Sequence, residues 1–208
     1  AGGGQLEVPR RQLLEGTHTP SNAVMSDVWT GFYRMIHRAN AVITNAPLST
    51  DLNTDLINRA TGEAKFLRAM AYFELSTLWG KVPLYKTYAT TASATEPRAV
   101  LTDVFDLIIS DLNDAQTKLP AEYTGNNIGR ATKGAAQTLL ARVYMFQGNY
   151  TAAKTELDKV ISSNKYQLVD NFLDNSTEET EYNKESIFEV AFSLDGGGFS
   201  WGSVDADD

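Results

Sequence analysis

The chain has 208 residues, an apolar share of 42% and a formal net charge of −8, a composition that is ordinary for a folded globular protein and excludes wholesale disorder. The acidic balance argues against nucleic acid as a partner, because phosphate backbones repel an acidic protein. The sequence contains no cysteine, which excludes disulfide frameworks, thiolate metal sites and cysteine nucleophiles.

The first predicted element is a largely buried helix. Residues 1–27 carry two prolines and scattered polar side chains, and we expect them to be irregular. Apolar and aromatic residues then recur at spacings of three and four over residues 28–45, which predicts a helix. Trp29 and Tyr33 on this stripe are expected to pack in the core, and Asn40 is expected to be a buried amide bonded to backbone groups.

A second helix is predicted over residues 51–79, with Ser49 or Thr50 as its cap and an end at Trp79-Gly80. Small residues crowd its middle, and they would let a neighbouring helix approach closely. Glu63 lies among them. We expect its side chain to be partly buried and hydrogen-bonded, because an unpaired buried carboxylate is costly.

The middle of the chain connects the second helix to a third. Residues 81–98 are a connecting stretch that contains Pro83, and Thr102 is a plausible cap for a helix over residues 103–119. Turn-forming residues fill 121–130.

Two helices, over residues 132–147 and 150–163, are predicted almost back to back, with Gly148 ending the first. Small residues stand where the two helices would cross and aromatic residues stand beside them, a pattern typical of a tetratricopeptide helix–turn–helix. The segments Tyr166–Val169 and Ile187–Phe192 are rich in β-formers and predict a short hairpin.

The predicted fold is therefore mainly α: tetratricopeptide-like helix–turn–helix repeats forming an α–α superhelix, with irregular loops and a short β hairpin near the C-terminus. Three segments are expected along the chain. They are an irregular segment over 1–27, a helical body over 28–163, and a loop and short-strand region over 164–208.

Four stretches of the sequence resemble motifs of a known protein family and occur in the same order as in that family. They are Trp29–Asn40, Gly62–Leu84, Ala131–Tyr144 and Glu185–Val190. The residues of the chain expected to have structural roles are Trp29, Tyr33, Asn40, Gly62, Glu63, Arg68, Trp79, Gly80, Pro83 and Gly148. With these stretches the chain resembles the SusD/RagB-like nutrient-binding lipoproteins of the Bacteroidetes outer membrane.

The resemblance implies a non-catalytic protein that is anchored through a lipidated cysteine to the cell-surface side of the outer membrane. Such proteins capture oligosaccharides or other nutrients and deliver them to a partner SusC-like, TonB-dependent transporter. The lipidation cysteine and the family's large C-terminal half are not in this sequence. We therefore expect the chain to be one part of such a protein, with residues 164–208 as the start of a truncated C-terminal subdomain.

Aromatic residues in predicted loops are the ligand candidates, because sugar rings present apolar C–H faces that stack on tyrosine and tryptophan, and because binding residues concentrate in loops. These candidates are Tyr85, Tyr88, Tyr123 and Trp201, with Arg11 as a weaker polar candidate.

Two other functions stay open. A tetratricopeptide-type scaffold could hold a peptide without binding sugar, although the irregular spacing departs from the ~34-residue repeat of that class. An enzyme could use acidic residues in the predicted loop near residue 178, but glycoside hydrolysis needs two carboxyl groups ~5–9 Å apart across a cleft, and acidic runs are more often solvated. The loop's acidic residues are Asp174, Glu178, Glu179 and Glu181.

No cofactor or metal is expected. Neither His18 nor His37 has a partner at the spacing of a metal or nucleophile motif. Calcium is a weak alternative, because oxygen donors cluster near residue 172 without the spacing of an EF-hand. The donors are Asp170, Asn171, Asp174 and Asn175, with Asp205, Asp207 and Asp208 farther on.

Overall fold

A computed structural model describes residues 7–91 and 95–190. Within these ranges the chain is mainly helical, with six α-helices and no β-strand. The helices are α1 (Val8–Leu14), α2 (Ala23–Asn45), α3 (Thr54–Trp79), α4 (Leu101–Lys118), α5 (Lys133–Phe146) and α6 (Tyr150–Ser162). None of the helices in the described part is both long enough and apolar enough to cross a bilayer.

The chain divides into two compact units, Ala1–Asp111 and Leu112–Asp208, and the division falls within α4. In the first unit α2 packs along α3. The central part of α3 is buried on nearly every side, and for that reason its residues lack a simple two-sided pattern. In the second unit α5 packs against α6.

The N-terminal segment is not wholly irregular, because residues 8–14 form α1. Pro9 stands in its first turn, where a missing N–H breaks no helical hydrogen bond. Asn22 caps α2 by accepting a hydrogen bond from the Met25 N–H at 3.3 Å, and its amide donates to the carbonyl of Pro9 at 3.0 Å. Helix α2 thus begins at Ala23, five residues before the start at residue 28 that the sequence predicted.

Two other predicted helix starts were wrong. Asn53, not Ser49 or Thr50, caps α3, with its side-chain oxygen 2.8 Å from the Leu56 nitrogen. The chain before it turns through a short 3-10 segment over Ala46–Leu48. The next helix, α4, begins at Leu101, so that Thr102 is inside it and does not cap it.

The helix pair of the second unit follows the predicted boundaries closely. Thr132 caps α5 by accepting from the Ala135 N–H at 3.1 Å, and Asn149 caps α6 by accepting from the Ala152 N–H at 3.2 Å. Gly148, with φ +75°, makes the turn between them. A left-handed backbone of this kind favours glycine, which explains why this residue separates the helices.

The predicted β hairpin is wrong within the described residues. Among the described residues no backbone hydrogen bond joins the two predicted strands, and the Gln167 N–H donates to the Lys184 carbonyl at 3.0 Å, three residues before the second predicted strand begins. The Val169 N–H instead donates to the Glu185 carboxylate at 3.0 Å. A side chain thus takes the donor that a ladder needs, and the pairing stops. Residues 191 and 192 of the predicted second strand lie outside the described ranges.

Two glycines give a paired test of the packing. A Cβ on Gly134 of α5 would lie 2.3 Å from the Tyr166 hydroxyl oxygen, whereas a Cβ on Gly31 of α2 would meet no atom within 4 Å. We expect Gly134→Ala to push the Tyr166 ring away and lower the free energy of unfolding by about 1–3 kcal/mol. Gly31→Ala should raise it by up to about 1 kcal/mol, because alanine favours the helix.

Urea denaturation of both variants beside the parent chain measures these changes. A Gly134→Ala chain at least as stable as its parent would contradict the close packing of Tyr166 on α5.

Candidate functional site

A buried ion pair fixes the first unit around α3. Arg68 donates from Nε and from Nη2 to the two carboxylate oxygens of Asp111, each at 2.7 Å. Arg68 is 4% exposed and Asp111 is 2% exposed. The two-pronged geometry satisfies both groups at once, and such charge-assisted pairs are stronger than neutral hydrogen bonds. Removing either partner would leave the other as an uncompensated buried charge.

The same arginine holds a length of loop backbone. Its Nη1 atom donates to the side-chain oxygen of Asn40 at 2.6 Å and to the carbonyl of Lys86 at 2.9 Å. Asn40, 1% exposed, donates in turn to the carbonyls of Tyr85 at 3.0 Å and Thr87 at 3.1 Å. Three successive loop carbonyls therefore accept hydrogen bonds from buried side chains.

Two tyrosines complete this support. The hydroxyl of Tyr72 accepts from the Tyr85 N–H at 2.7 Å and donates to the Tyr85 carbonyl at 3.1 Å. The hydroxyl of Tyr33 donates to the Pro83 carbonyl at 2.8 Å. Burial raises the pKa of Tyr33 and of Tyr72 well above the ordinary range of a tyrosine. Both hydroxyl groups therefore keep their protons, and can donate hydrogen bonds, at any physiological pH.

The supported loop forms one side of a pocket of about 450 Å³, and one face of α2 forms the other. Known small-molecule sites have volumes of about 300–1,000 Å³. We call it the α2 pocket, and its lining residues are Tyr33, Ile36, His37, Asn40, Tyr85, Thr87, Tyr88, Ala89, Thr90 and Thr91. The four residues from α2 share a face because they are spaced by three and four positions.

Aromatic rings dominate this pocket. The rings of Tyr33 and Tyr85 meet edge to face with centroids 5.9 Å apart. The rings of His37 and Tyr88 lie nearer the surface, with centroids 4.9 Å apart and planes inclined at 42°. Two of the ligand candidates predicted from the sequence, Tyr85 and Tyr88, are thus brought together.

The third candidate lies in the second unit. Tyr123 lines a smaller pocket of about 190 Å³ together with Tyr166 and Tyr182. Polar groups there are joined to one another, since Lys165 pairs with Glu122 at 2.8 Å. Burial raises the pKa of Tyr182, and nearby glutamates raise it further.

Arg11 is exposed on α1, and Trp201 lies outside the described residues. Trp29, which is half-buried, packs edge to face on Trp79 with ring centroids 5.2 Å apart.

Sequence reasoning missed two important residues. His37 was considered only as a metal or nucleophile candidate, whereas its exposed ring lies beside the Tyr88 ring in the α2 pocket. Asp111 was not singled out as the partner of Arg68. A signal for it existed, because Asp111 stands on the same helical stripe as Val104 and Ile108, and an acidic residue on a buried stripe needs a partner.

The acidic loop forms local hydrogen bonds. Asp174 accepts from the Asn171 amide at 2.9 Å, and the side-chain oxygen of Asn175 accepts from the Asn183 amide at 3.1 Å. In residues 7–91 and 95–190 no group of three His, Asp or Glu side chains is arranged to hold a metal ion.

Comparison with known proteins places the chain among glycan-binding relatives. A family profile described as SusD-like, "starch-binding associating with outer membrane", matches residues 8–145. The SusD-like protein P25 of Formosa agariphila is 32% identical over 189 residues, which are 88% of this chain and 35% of that protein. The starch-binding protein SusD of Bacteroides thetaiotaomicron is 30% identical over 189 residues, 88% of this chain and 33% of that protein.

A solved structure of a laminarin-binding SusD-like protein is 33% identical, with a TM-score of 0.76, and the match covers 80% of this chain and 37% of that one. The chain spans about a third of the length of these relatives.

The buried ion pair can be tested by substitution. Asp111→Asn keeps the shape of the side chain but leaves the Arg68 charge uncompensated, so we expect the free energy of unfolding to fall by about 3–5 kcal/mol. Lys154→Gln is the matched control, because it breaks the exposed pair with Asp158 and should change stability little. Urea denaturation measures both. Equal stability of the two variants would refute the anchoring role of the buried pair.

The raised pKa of Tyr72 predicts a loss of stability in alkali. Above pH ~10 the unfolded chain releases the Tyr72 proton while the folded chain keeps it, so the free energy of unfolding falls by up to ~1.4 kcal/mol per pH unit from this group. Tyr72→Phe cannot ionise. Its stability should therefore fall less steeply with rising pH, although it begins lower because two hydrogen bonds to Tyr85 are lost.

Urea unfolding of parent and variant at several pH values from about 9 to 11 measures the two slopes. Parallel slopes would show that Tyr72 ionises as readily in the folded chain as in the unfolded one.

Proposed function

Because the chain belongs to the SusD-like family, we propose that this protein binds glycans at the outer face of the outer membrane and does not cleave them. The ligand class we propose is glucan, since starch and laminarin, the glycans named for two of the relatives, are both glucose polymers. Delivery of the bound glycan to a SusC-like, TonB-dependent transporter is part of the same proposal. It is supported by the outer-membrane association of the family.

The observation that carries the proposal is the α2 pocket. Its aromatic rings suit the apolar faces of sugars, and its loop side is held in place by Arg68, Asn40 and Tyr72. A rigid aromatic surface loses little conformational freedom when a ligand arrives, which favours binding. Ligand contacts are accordingly assigned to Tyr85 and Tyr88. The predicted contacts Tyr123 and Arg11 are not in the lining of this pocket, and Trp201 lies outside the described residues.

The same pocket supports binding without catalysis. Hydrolysis of a glycosidic bond ordinarily requires one carboxyl group as acid and a second as base or nucleophile, on either side of the bond. The described residues that line the α2 pocket include no aspartate or glutamate. A sugar held there would meet rings, hydroxyls and an imidazole, and no pair of carboxyl groups. The function needs no cofactor.

The helical body would be the scaffold for this site. We propose that α5, the turn at Gly148 and α6 form a tetratricopeptide-type repeat, on the support of their capped helix–turn–helix geometry. A lipid anchor outside this sequence would hold the protein on the membrane.

Affinity electrophoresis and isothermal titration calorimetry of the full-length protein test the proposed function. We expect gels containing starch or laminarin to retard the protein, and we expect saturable heats of binding with no release of reducing ends. Gels with an uncharged non-carbohydrate polymer are the control. Binding to neither glucan would refute the proposed ligand class. Reducing ends that appear in proportion to protein would refute the non-catalytic assignment.

A further inference from the structure

Residues 165–190 are the last described part of the second unit, and we call them the arm. The arm is fastened to the turn that leads into α5. The Tyr166 hydroxyl lies 3.0 Å from the hydroxyl of Thr132, the cap of that helix. The Tyr182 ring packs on Gly129 so closely that a Cβ there would lie 2.8 Å from the tyrosine hydroxyl oxygen. The arm therefore has a definite place in its unit.

Hydrogen bonds also fix the backbone of the arm. The Asn183 amide donates to the Asp174 carbonyl at 3.1 Å. A short 3-10 turn over Phe172–Asn175 begins after Asn171, whose side-chain oxygen accepts from the Leu173 N–H at 3.2 Å. Polar contacts of this kind give the arm its shape.

The arm nevertheless lacks an apolar core of its own. No described side chain in it is fully buried. Phe172 and Leu168 are 79% and 77% exposed, more than any other large apolar side chain of the described ranges, and Leu173 is 64% exposed. Ordering a chain costs conformational entropy, which the burial of apolar surface normally offsets. An ordered segment that exposes its largest apolar side chains is therefore expected to be covered in the whole protein.

The length of the relatives indicates what covers the arm. The matches span 35% of the SusD-like protein P25 and 33% of SusD, so that about two thirds of each relative lies outside them. A segment of the same polypeptide is present at a high effective concentration, and its docking costs less entropy than the association of a separate molecule.

Charge argues against a second copy of the chain as the cover. The sequence of the arm contains seven acidic and two basic residues. A two-fold interface would bring the same acidic surface together twice, and like charges that face each other across an interface are unfavourable.

From these observations we propose that Leu168, Phe172 and Leu173 form the docking surface for the polypeptide that follows residue 208 in the full-length protein. Apolar side chains of that polypeptide cover these three residues, and its basic side chains pair with the acidic residues of the arm. The arm thereby joins the helical body to the remainder of the protein. The inference concerns the assembly of the protein and does not depend on which ligand it binds.

Thiol labelling of the full-length protein without its lipid anchor tests this docking. One cysteine is introduced by Leu173→Cys, and any cysteine outside these 208 residues, which contain none, is replaced by serine. We expect a maleimide to label the folded variant at least about tenfold more slowly than the same variant in urea, because a covered side chain reacts only when its cover opens. Leu168→Cys is a second probe of the same surface, with the same expected result.

Ser162→Cys is the control, because Ser162 is an exposed polar residue at the end of α6 and should react at similar rates in the folded and the unfolded chain. Circular dichroism verifies that each variant folds like the parent. Carbodiimide cross-linking of the parent should join carboxylates of the arm to lysines beyond residue 208, with a yield that does not change on dilution.

Folded variants in which both probes react as fast as in urea would overturn the proposal. Protection that disappears on dilution would assign the cover to a second copy, and protection that requires another added protein would assign it to a separate partner. Either result would also overturn the proposal, and neither would bear on the binding of glycans.

Discussion

The first unit depends on one guanidinium group. Arginine carries five N–H donors in a rigid fork, and Arg68 directs them at Asp111, at Asn40 and at a loop carbonyl. A lysine has a single charged nitrogen and could not reach all of these acceptors with the same geometry. This one buried side chain of α3 is thereby bonded to α2, to α4 and to the loop that follows α3.

This network explains how an irregular loop can have a fixed shape. Backbone groups in loops usually find water or each other. Between residues 83 and 87, the carbonyls of four residues and one N–H bond instead to side chains from α2 and α3. The aromatic rings of Tyr85 and Tyr88 are consequently presented by a backbone that behaves like part of the core. Preorganisation of this kind is what distinguishes a binding surface from a loop that merely contains tyrosines.

The sequence predicted the helices well wherever periodic apolar residues and local caps agree. The start of α2 was placed five residues late because its cap, Asn22, precedes the aromatic stripe. The hairpin failed because β-propensity says nothing of the Glu185 carboxylate that takes a backbone donor from Val169. Leu78, near the end of α3, is 56% exposed, since α3 is covered most completely at its centre.

The part of the candidate site that rests on local sequence pattern could be predicted, and the part that rests on contacts between distant residues could not. Tyr85 and Tyr88 were predicted as ligand candidates because aromatic residues in loops suit sugar binding, and both line the α2 pocket. His37 and Asp111 take their roles from neighbours that are distant in sequence: 43 residues separate Arg68 from Asp111. Pairings of that range follow from the packing of helices, which a local pattern does not encode.

The buried network also has a consequence for how the sequence can change over time. Loss of Arg68 alone would strand the carboxylate of Asp111, and loss of Asp111 alone would strand the guanidinium, so either change is costly in isolation. Joint replacement by apolar residues of similar volume would remove both charges and could leave stability intact. The loop carbonyls, however, would then lose their donors. A substitution at position 40, 68 or 111 is therefore constrained by the residues at the other two positions as long as the loop after α3 keeps its shape.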